Sequence, residues 1–167
     1  MLLWDHEMQP LREGLQNIQP PERLALAMAV IERTCDGMGQ IETKEVRDYL
    51  DRGMTAGREA VSAGRDKIEL SEETLDEYEG VLDLADEPGT SHMLSALLAC
   101  ADAPEGLTGE VLYGVLSFCY EGLLDREELP EWTVEAERAN DRCVETIAFQ
   151  RRLVHEALVR GGGQRRG

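Results

Sequence analysis

Carboxylate side chains are the residues of this sequence whose number and spacing best suggest a chemical role. From position 69 to position 87 there are nine Asp or Glu residues and no Lys or Arg. Because each residue of a helix turns by about 100°, six of these acids share one arc of about 100°. We call these six the acidic ridge: Glu72, Asp76, Glu79, Asp83, Asp86 and Glu87. Such a pattern is typical of a solvated helix face or of a binding site for a basic partner.

The acidic ridge requires a compensating interaction. Acids four residues apart on a helix destabilise it by a few tenths of a kcal/mol per pair. The ridge helix contains such pairs at Glu72–Asp76, Glu73–Glu77, Glu79–Asp83 and Asp83–Glu87. A neighbouring arc is apolar and carries Leu75, Tyr78, Val81, Leu82 and Ala85. We therefore expect core packing of this apolar face, or a basic partner, to offset the repulsion.

A second group of acids surrounds the turn that is predicted before the last helix. It comprises Glu121, Asp125, Glu127, Glu128, Glu131, Glu135 and Glu137. We predict that Glu127, Glu128 and Glu131 contribute to the same partner-binding surface as the ridge. Basic residues gather instead in the last 17 positions, at Arg151, Arg152, Arg160, Arg165 and Arg166. Cations suit a helix C-terminus, and the alternatives are a nucleic-acid contact or pairing with the acidic face of a second copy.

The net charge of −17 limits the classes of partner. It opposes a general role in binding nucleic acid or an anionic membrane surface, whereas it attracts a basic protein. Acidity for solubility alone is the simpler reading. The first residues do not form a secretory signal, and no stretch approaches the roughly 20 apolar residues that span a bilayer. These features predict a cytoplasmic protein without a membrane segment.

Residues for enzymatic chemistry are scattered. The three histidines, His6, His92 and His155, form no HExxH or Glu-x-x-His motif, and no Gly-x-Ser-x-Gly elbow occurs. The four cysteines are far apart, form no CxxC pair and lie on apolar stripes: Cys35, Cys100, Cys119 and Cys143. We predict buried reduced thiols, no catalytic residue, no metal and no cofactor. Carboxylates alone could still bind a metal inside a helical bundle.

The elements that must position these acids are helices. Hydrophobic residues make up 42% of the chain, only 5% is aromatic, and no stretch alternates apolar and polar residues as a strand does. Packing of Leu, Ala, Val and Met suits helices. We predict an all-α fold, an irregular bundle of six to seven mostly antiparallel helices. Residues 1–160 form one domain, and residues 161–167 form a flexible Gly/Arg tail.

Caps and breakers predict where the helices lie. After Pro20-Pro21 the segment from Leu24 to about Cys35 is apolar nearly all round, which predicts a central helix. Further helices are expected from about Thr43 to Ala63, after N-caps at Ser71 and Ser91, from about Thr108 to Leu124, and from Leu129 to about Arg160. Gly53 and Gly57 predict close packing against a neighbour or a break near Gly53. Trp132 is expected to close the end of the core, whereas an exposed Trp132 would suit an interface.

Two segments resemble a known family. The run Leu24-Ala25-Leu26-Ala27-Met28-Ala29-Val30-Ile31-Glu32-Arg33 resembles the buried early helix of a YjaG-like helical family of bacterial proteins. The segment from Glu131 to Leu158, with Glu137, Asp141, Glu145 and Arg151-Arg152, is similar to that family's long closing helix. Small acidic helical proteins also recur among immunity proteins of bacterial polymorphic toxin systems, which cover the active site of a toxin domain. The resemblance implies a binding, non-catalytic role.

Three hypotheses follow for the function. The first is a non-catalytic, immunity-type inhibitor that binds a basic partner protein, such as a toxin domain, through the acidic ridge. The second is a helical regulatory or adaptor domain that dimerises through an apolar surface, with the acids serving only solubility. The third is a bundle enzyme that binds a metal with carboxylates alone.

Overall fold

The protein is all-helical. The computed structural model describes residues 1–164 and the side chains of residues 1–161. Within residues 1–164 there are eight α-helices and no β-strand, which confirms the all-α class but exceeds the six to seven helices expected. The helices are α1 (Leu3–Met8), α2 (Pro20–Met38), α3 (Lys44–Ser62), α4 (Glu72–Asp83), α5 (Thr90–Ala101), α6 (Gly109–Glu127), α7 (Val134–Arg138) and α8 (Asp141–Gln164). Two short 3₁₀ helices, Gln9–Leu11 and Glu13–Asn17, link α1 to α2.

The central position of α2 is confirmed. Leu26 and Met28, which lie on nearly opposite sides of this helix, are both buried, as are Val30 and Ile31. It packs against α3, α5, α6 and α8, so its apolar residues meet neighbours in several directions. Gly39 follows the helix with φ of 76°, a conformation that glycine adopts without strain.

Helix α3 passes through both of its interior glycines without a break. Gly53 and Gly57 are buried. A Cβ atom at Gly53 would lie 2.9 Å from Cγ of Leu97 on α5, and one at Gly57 would lie 2.6 Å from Sδ of Met28 on α2. Close approach of the three helices therefore explains both glycines, and the alternative of a break near Gly53 is wrong.

Three predicted boundaries near the later helices are wrong. Helix α5 begins at Thr90 after Gly89, whose φ is 83°, so Ser91 is not its N-cap. The long closing helix from Leu129 is divided, because Thr133 caps α7 and Asn140 accepts a hydrogen bond from the backbone N–H of Cys143 at the start of α8. Helix α8 continues to Gln164, so the tail expected at 161–167 begins as helix, and residues 165–167 lie outside the described residues.

A buried polar network holds the N-terminal helix in place. The carboxylate of Glu137 accepts the backbone N–H of Leu3 at 3.1 and 3.2 Å and the hydroxyl of Tyr120 at 2.6 Å. Trp4 donates from Nε1 to Gln150 at 2.7 Å, and Gln150 donates to the carbonyl of Leu116 at 3.1 Å. These bonds connect α1 to α6, α7 and α8. Within residues 1–164, no helix is both long enough and apolar enough to cross a membrane.

Candidate functional site

The ridge helix α4 lies at the edge of the structure and packs mainly on α3. Ser71 caps it as predicted, because its side chain accepts the backbone N–H of Thr74 at 3.1 Å. Tyr78 and Val81 are its buried residues. Leu75 on the predicted apolar face is 42% exposed, so the core covers only part of that face. Packing alone therefore offsets the repulsion of the ridge only in part.

Two polar contacts fasten α4 to α3. The hydroxyl of Tyr49 donates to the carbonyl of Thr74 at 2.9 Å, and its ring lies 6.1 Å from the ring of Tyr78. Arg52 pairs with Glu77 at 2.6 Å, and this hydrogen bond lowers the pKa of Glu77. The Arg52–Glu77 pair therefore neutralises one carboxylate of α4 that does not belong to the ridge.

Five of the six ridge acids point into solvent. Glu72, Asp76, Glu79, Asp83 and Asp86 are exposed. Helix α4 ends at Asp83, so the prediction that Asp86 and Glu87 share its helical arc is wrong. In the part of the chain that the structure describes, none of these five forms an ion pair. Their charges therefore remain available to a partner.

The sixth ridge acid, Glu87, is used inside the molecule. Its carboxylate accepts the backbone N–H groups of Glu42 at 3.0 Å and Thr43 at 2.6 Å, just before α3 begins. These two bonds lower the pKa of Glu87. Arg126 lies 3.7 Å from the same carboxylate. We therefore assign Glu87 a structural role and exclude it from the exposed ridge surface.

Arg126 joins the ends of several helices. Its guanidinium donates to the carbonyls of Met38 at 3.1 Å, Gln40 at 3.1 Å and Pro88 at 3.2 Å. The segments that follow α2 and α4 thus meet the C-terminal end of α6. Through Arg126 the end of the ridge and the second acidic group, which are about 40 residues apart in sequence, are attached to the same corner of the fold.

The second acidic group divides between surface and structural positions. Glu128 and Glu131 are exposed, as a partner-binding role requires. Glu127 instead pairs with Arg142 at 2.9 Å, and Asp125 accepts the backbone N–H of Gly89 at 2.6 Å. Glu137 is fully buried. Of the three predicted binding residues in this group, only Glu128 and Glu131 carry an uncompensated charge at the described surface.

A groove between α3 and α4 adds residues that the sequence pattern did not suggest. Its volume is about 540 Å³. Acids and one arginine from the two helices line it, together with apolar groups at the end of α4: Glu45, Asp48, Arg52, Asp76, Glu77, Gly80, Val81 and Leu84. Leu84 is 46% exposed. Glycine at position 80 within a helix, where it costs about 1 kcal/mol, was the one available sequence signal.

The arginines near the C-terminus pair mostly within the chain. Arg151 binds Glu7 at 2.8 Å, Arg160 approaches Glu22 at 3.5 Å, and Arg152 approaches Glu156 at 3.9 Å. Arg165 and Arg166 lie outside the described residues. Among the pairs described, the partners come from α1, α2 and α8 and not from the acidic ridge.

Tryptophans and cysteines occupy different environments. Trp4 is buried, whereas Trp132 is 54% exposed, so the expectation that Trp132 closes the core is wrong. The four cysteines are free, with Cys100, Cys119 and Cys143 buried and Cys35 partly buried. Burial raises the pKa of Cys35 and of Cys100 to about 12, which makes both poor nucleophiles near neutral pH. Among the described residues, no group of three or more His, Cys, Asp or Glu side chains is arranged to hold a metal ion.

Comparison with known proteins returned no match to a family model, to a curated protein or to a solved structure.

Proposed function

We propose that this protein is a non-catalytic acidic binding protein whose ridge on α4 binds a basic partner protein. One observation carries the proposal: five exposed ridge carboxylates have no cationic partner in the described chain, although four of them repel one another along the weakly buried helix α4 and the fifth, Asp86, lies just beyond its end. A basic partner neutralises this charge and relieves the repulsion. Glu128 and Glu131 extend the same acidic character near the C-terminal end of α6.

The partner class that fits best is a basic domain, such as a toxin nuclease whose surface is built to bind phosphate. An immunity-type inhibitor that covers such a surface gains speed and specificity from opposite charge. Acidic steering raises association rates by tenfold or more at low salt and loses this effect as salt rises. The function therefore predicts binding that is fast and salt-sensitive.

Charge reversal tests the ridge. We expect the triple variant Asp76→Lys, Glu79→Lys, Asp83→Lys to lower the association rate with a captured basic partner by at least about tenfold at low salt. Its matched control reverses Glu59, Asp102 and Glu105, three exposed acids that do not belong to the ridge, and so changes the net charge equally. Partners are captured from native lysate by wild type and both variants across a salt series. Equal capture by wild type and the ridge variant contradicts the proposal.

A dimerising regulatory or adaptor domain is the second candidate. It is favoured by large apolar side chains at the surface of the C-terminal region, where Trp132 and Val144 are about half exposed and Val159 is 76% exposed. Sedimentation separates the two functions. A mass that rises with concentration, is insensitive to salt and falls in a Val159→Asp variant supports the dimer. A monomeric mass at all concentrations contradicts it.

A further inference from the structure

The groove between α3 and α4 combines an apolar base with an acidic rim. Val81 is buried at the base, and Leu84 leaves almost half of its surface open to solvent. At Gly80 an added Cβ atom would meet nothing within 4 Å, so the glycine leaves the groove open. An apolar surface beside open space stays hydrated until another apolar group covers it.

Charge around this groove is mainly negative, because four acids line it: Glu45, Asp48, Asp76 and Glu77. Arg52, the one cation that lines it within the described residues, binds Glu77, and Lys44 beside it binds Asp48 at 2.8 Å. The hydrogen bond from Lys44 lowers the pKa of Asp48, which keeps that pair ionic. Glu45 on α3 and Asp76 on α4 both line the groove and form no ion pair within the described residues. The rim is therefore complementary to cations on both sides of an apolar group.

We propose that this groove takes one large apolar side chain of the partner, flanked on each side by Lys or Arg. The apolar side chain lies against Val81 and Leu84 above Gly80, while the flanking cations pair with Glu45 and Asp76. This inference rests on the proposed function and deepens it. The ridge supplies attraction to any basic protein, whereas the groove selects a basic segment that carries an apolar anchor.

Two fluorescent peptides of equal charge test the selection. One is Lys-Lys-Gly-Phe-Gly-Lys-Lys, and the other has Ser in place of Phe. Binding is measured by anisotropy at low salt with the full chain. Because burial of an aromatic side chain contributes favourable transfer free energy, we expect wild type to bind the Phe peptide about tenfold more tightly.

A variant with a filled groove tests whether the preference for Phe depends on the open space at Gly80. Gly80→Leu places a side chain in the open space and is expected to reduce the preference for Phe to about one, while weak salt-sensitive binding of both peptides remains. Gly114→Leu is its control, since Gly114 is also a helical glycine where an added Cβ meets nothing within 4 Å, but it lies on α6. This control should keep the tenfold preference. Circular dichroism of both variants confirms that each is folded.

The outcomes separate the groove from the ridge. Wild type could bind the two peptides equally well, and the triple variant Asp76→Lys, Glu79→Lys, Asp83→Lys could bind neither. That result overturns the groove proposal and leaves the ridge proposal standing. A preference for Phe that survives Gly80→Leu also overturns the groove. If wild type binds neither peptide at low salt, the proposed function fails, and the groove inference fails with it.

Discussion

Glu137 and the exposed acids of the ridge carry the same functional group in opposite surroundings. Glu137 is 0% exposed, and its two oxygens accept three hydrogen bonds from Leu3 and Tyr120. Burial raises the pKa of Tyr120, and its bond to Glu137 raises it further, so this phenol remains a donor. The ridge acids at Asp76, Glu79 and Asp83 have no such donors in the described chain.

The difference shows how one residue type contributes either to the fold or to binding. A buried carboxylate is stable only when protein groups replace its hydration, and its removal leaves those groups without a partner. An exposed carboxylate keeps its water and its long-range field, so its removal changes association more than stability. The two regions should therefore respond in opposite ways to mutation.

The largest expected effect is at Glu137. Glu137→Ala leaves the N–H of Leu3 and the hydroxyl of Tyr120 buried without an acceptor, and each such group costs roughly 1–3 kcal/mol. We expect the free energy of unfolding in urea to fall by about 2–4 kcal/mol. Glu135→Ala is the control, because Glu135 is an exposed acid on the same short helix α7 and should change stability by less than about 0.5 kcal/mol. An equal effect of the two substitutions would falsify the structural role of Glu137.

Two helical glycines extend the comparison from charge to packing. Gly53→Ala pushes a Cβ atom against Leu97 in the core, which we expect to cost about 1–3 kcal/mol of unfolding free energy. Gly80→Ala on the ridge helix meets no atom within 4 Å and should instead stabilise the protein by up to about 1 kcal/mol. Thermal unfolding of both variants measures whether their changes in stability have opposite signs. Destabilisation by Gly80→Ala would show that α4 packs more tightly than its exposure indicates.

Sequence reasoning succeeded where local signals are complete. The cap at Ser71 and the acids in the first turn define the start of α4 without reference to the rest of the chain, whereas the helix ends at Asp83, five residues before Pro88. The apolar circumference of α2 likewise requires neighbours on all sides, and the structure supplies four helices. Glycines at positions 53 and 57 indicated close packing because they otherwise weaken a helix.

Tertiary pairing accounts for what the sequence could not predict. Glu137 belongs to an acidic group along the chain, and its donors are 134 and 17 residues away. The same holds for Glu87, which looks like a ridge acid but bonds to the backbone before α3. The groove depends on Glu45 and Asp48 lying opposite α4, and no pattern within either helix reveals that approach.

The smallest expected effect is at Glu87, which is intermediate between the two regions. Its pKa in the folded protein is lowered by bonds from the N–H groups of Glu42 and Thr43, so the ionised form is favoured by folding. The stability that it contributes is present above its usual pKa, near 4.5, and is lost as pH falls through the lower folded value. Glu87→Gln should therefore be less stable than wild type near neutral pH.

The pH dependence of that difference provides the decisive measurement. We expect the gap in unfolding free energy between wild type and Glu87→Gln to narrow as the pH is lowered below about 4.5. The control is Asp86→Asn, because the neighbouring Asp86 is exposed and its carboxylate forms no hydrogen bond or ion pair in the described chain. The difference in unfolding free energy between wild type and Asp86→Asn should not narrow in this way. Urea unfolding at a series of pH values compares the three proteins. If the difference in unfolding free energy between wild type and Glu87→Gln stays constant with pH, Glu87 has no structural role. All six ridge acids would then be available to a partner.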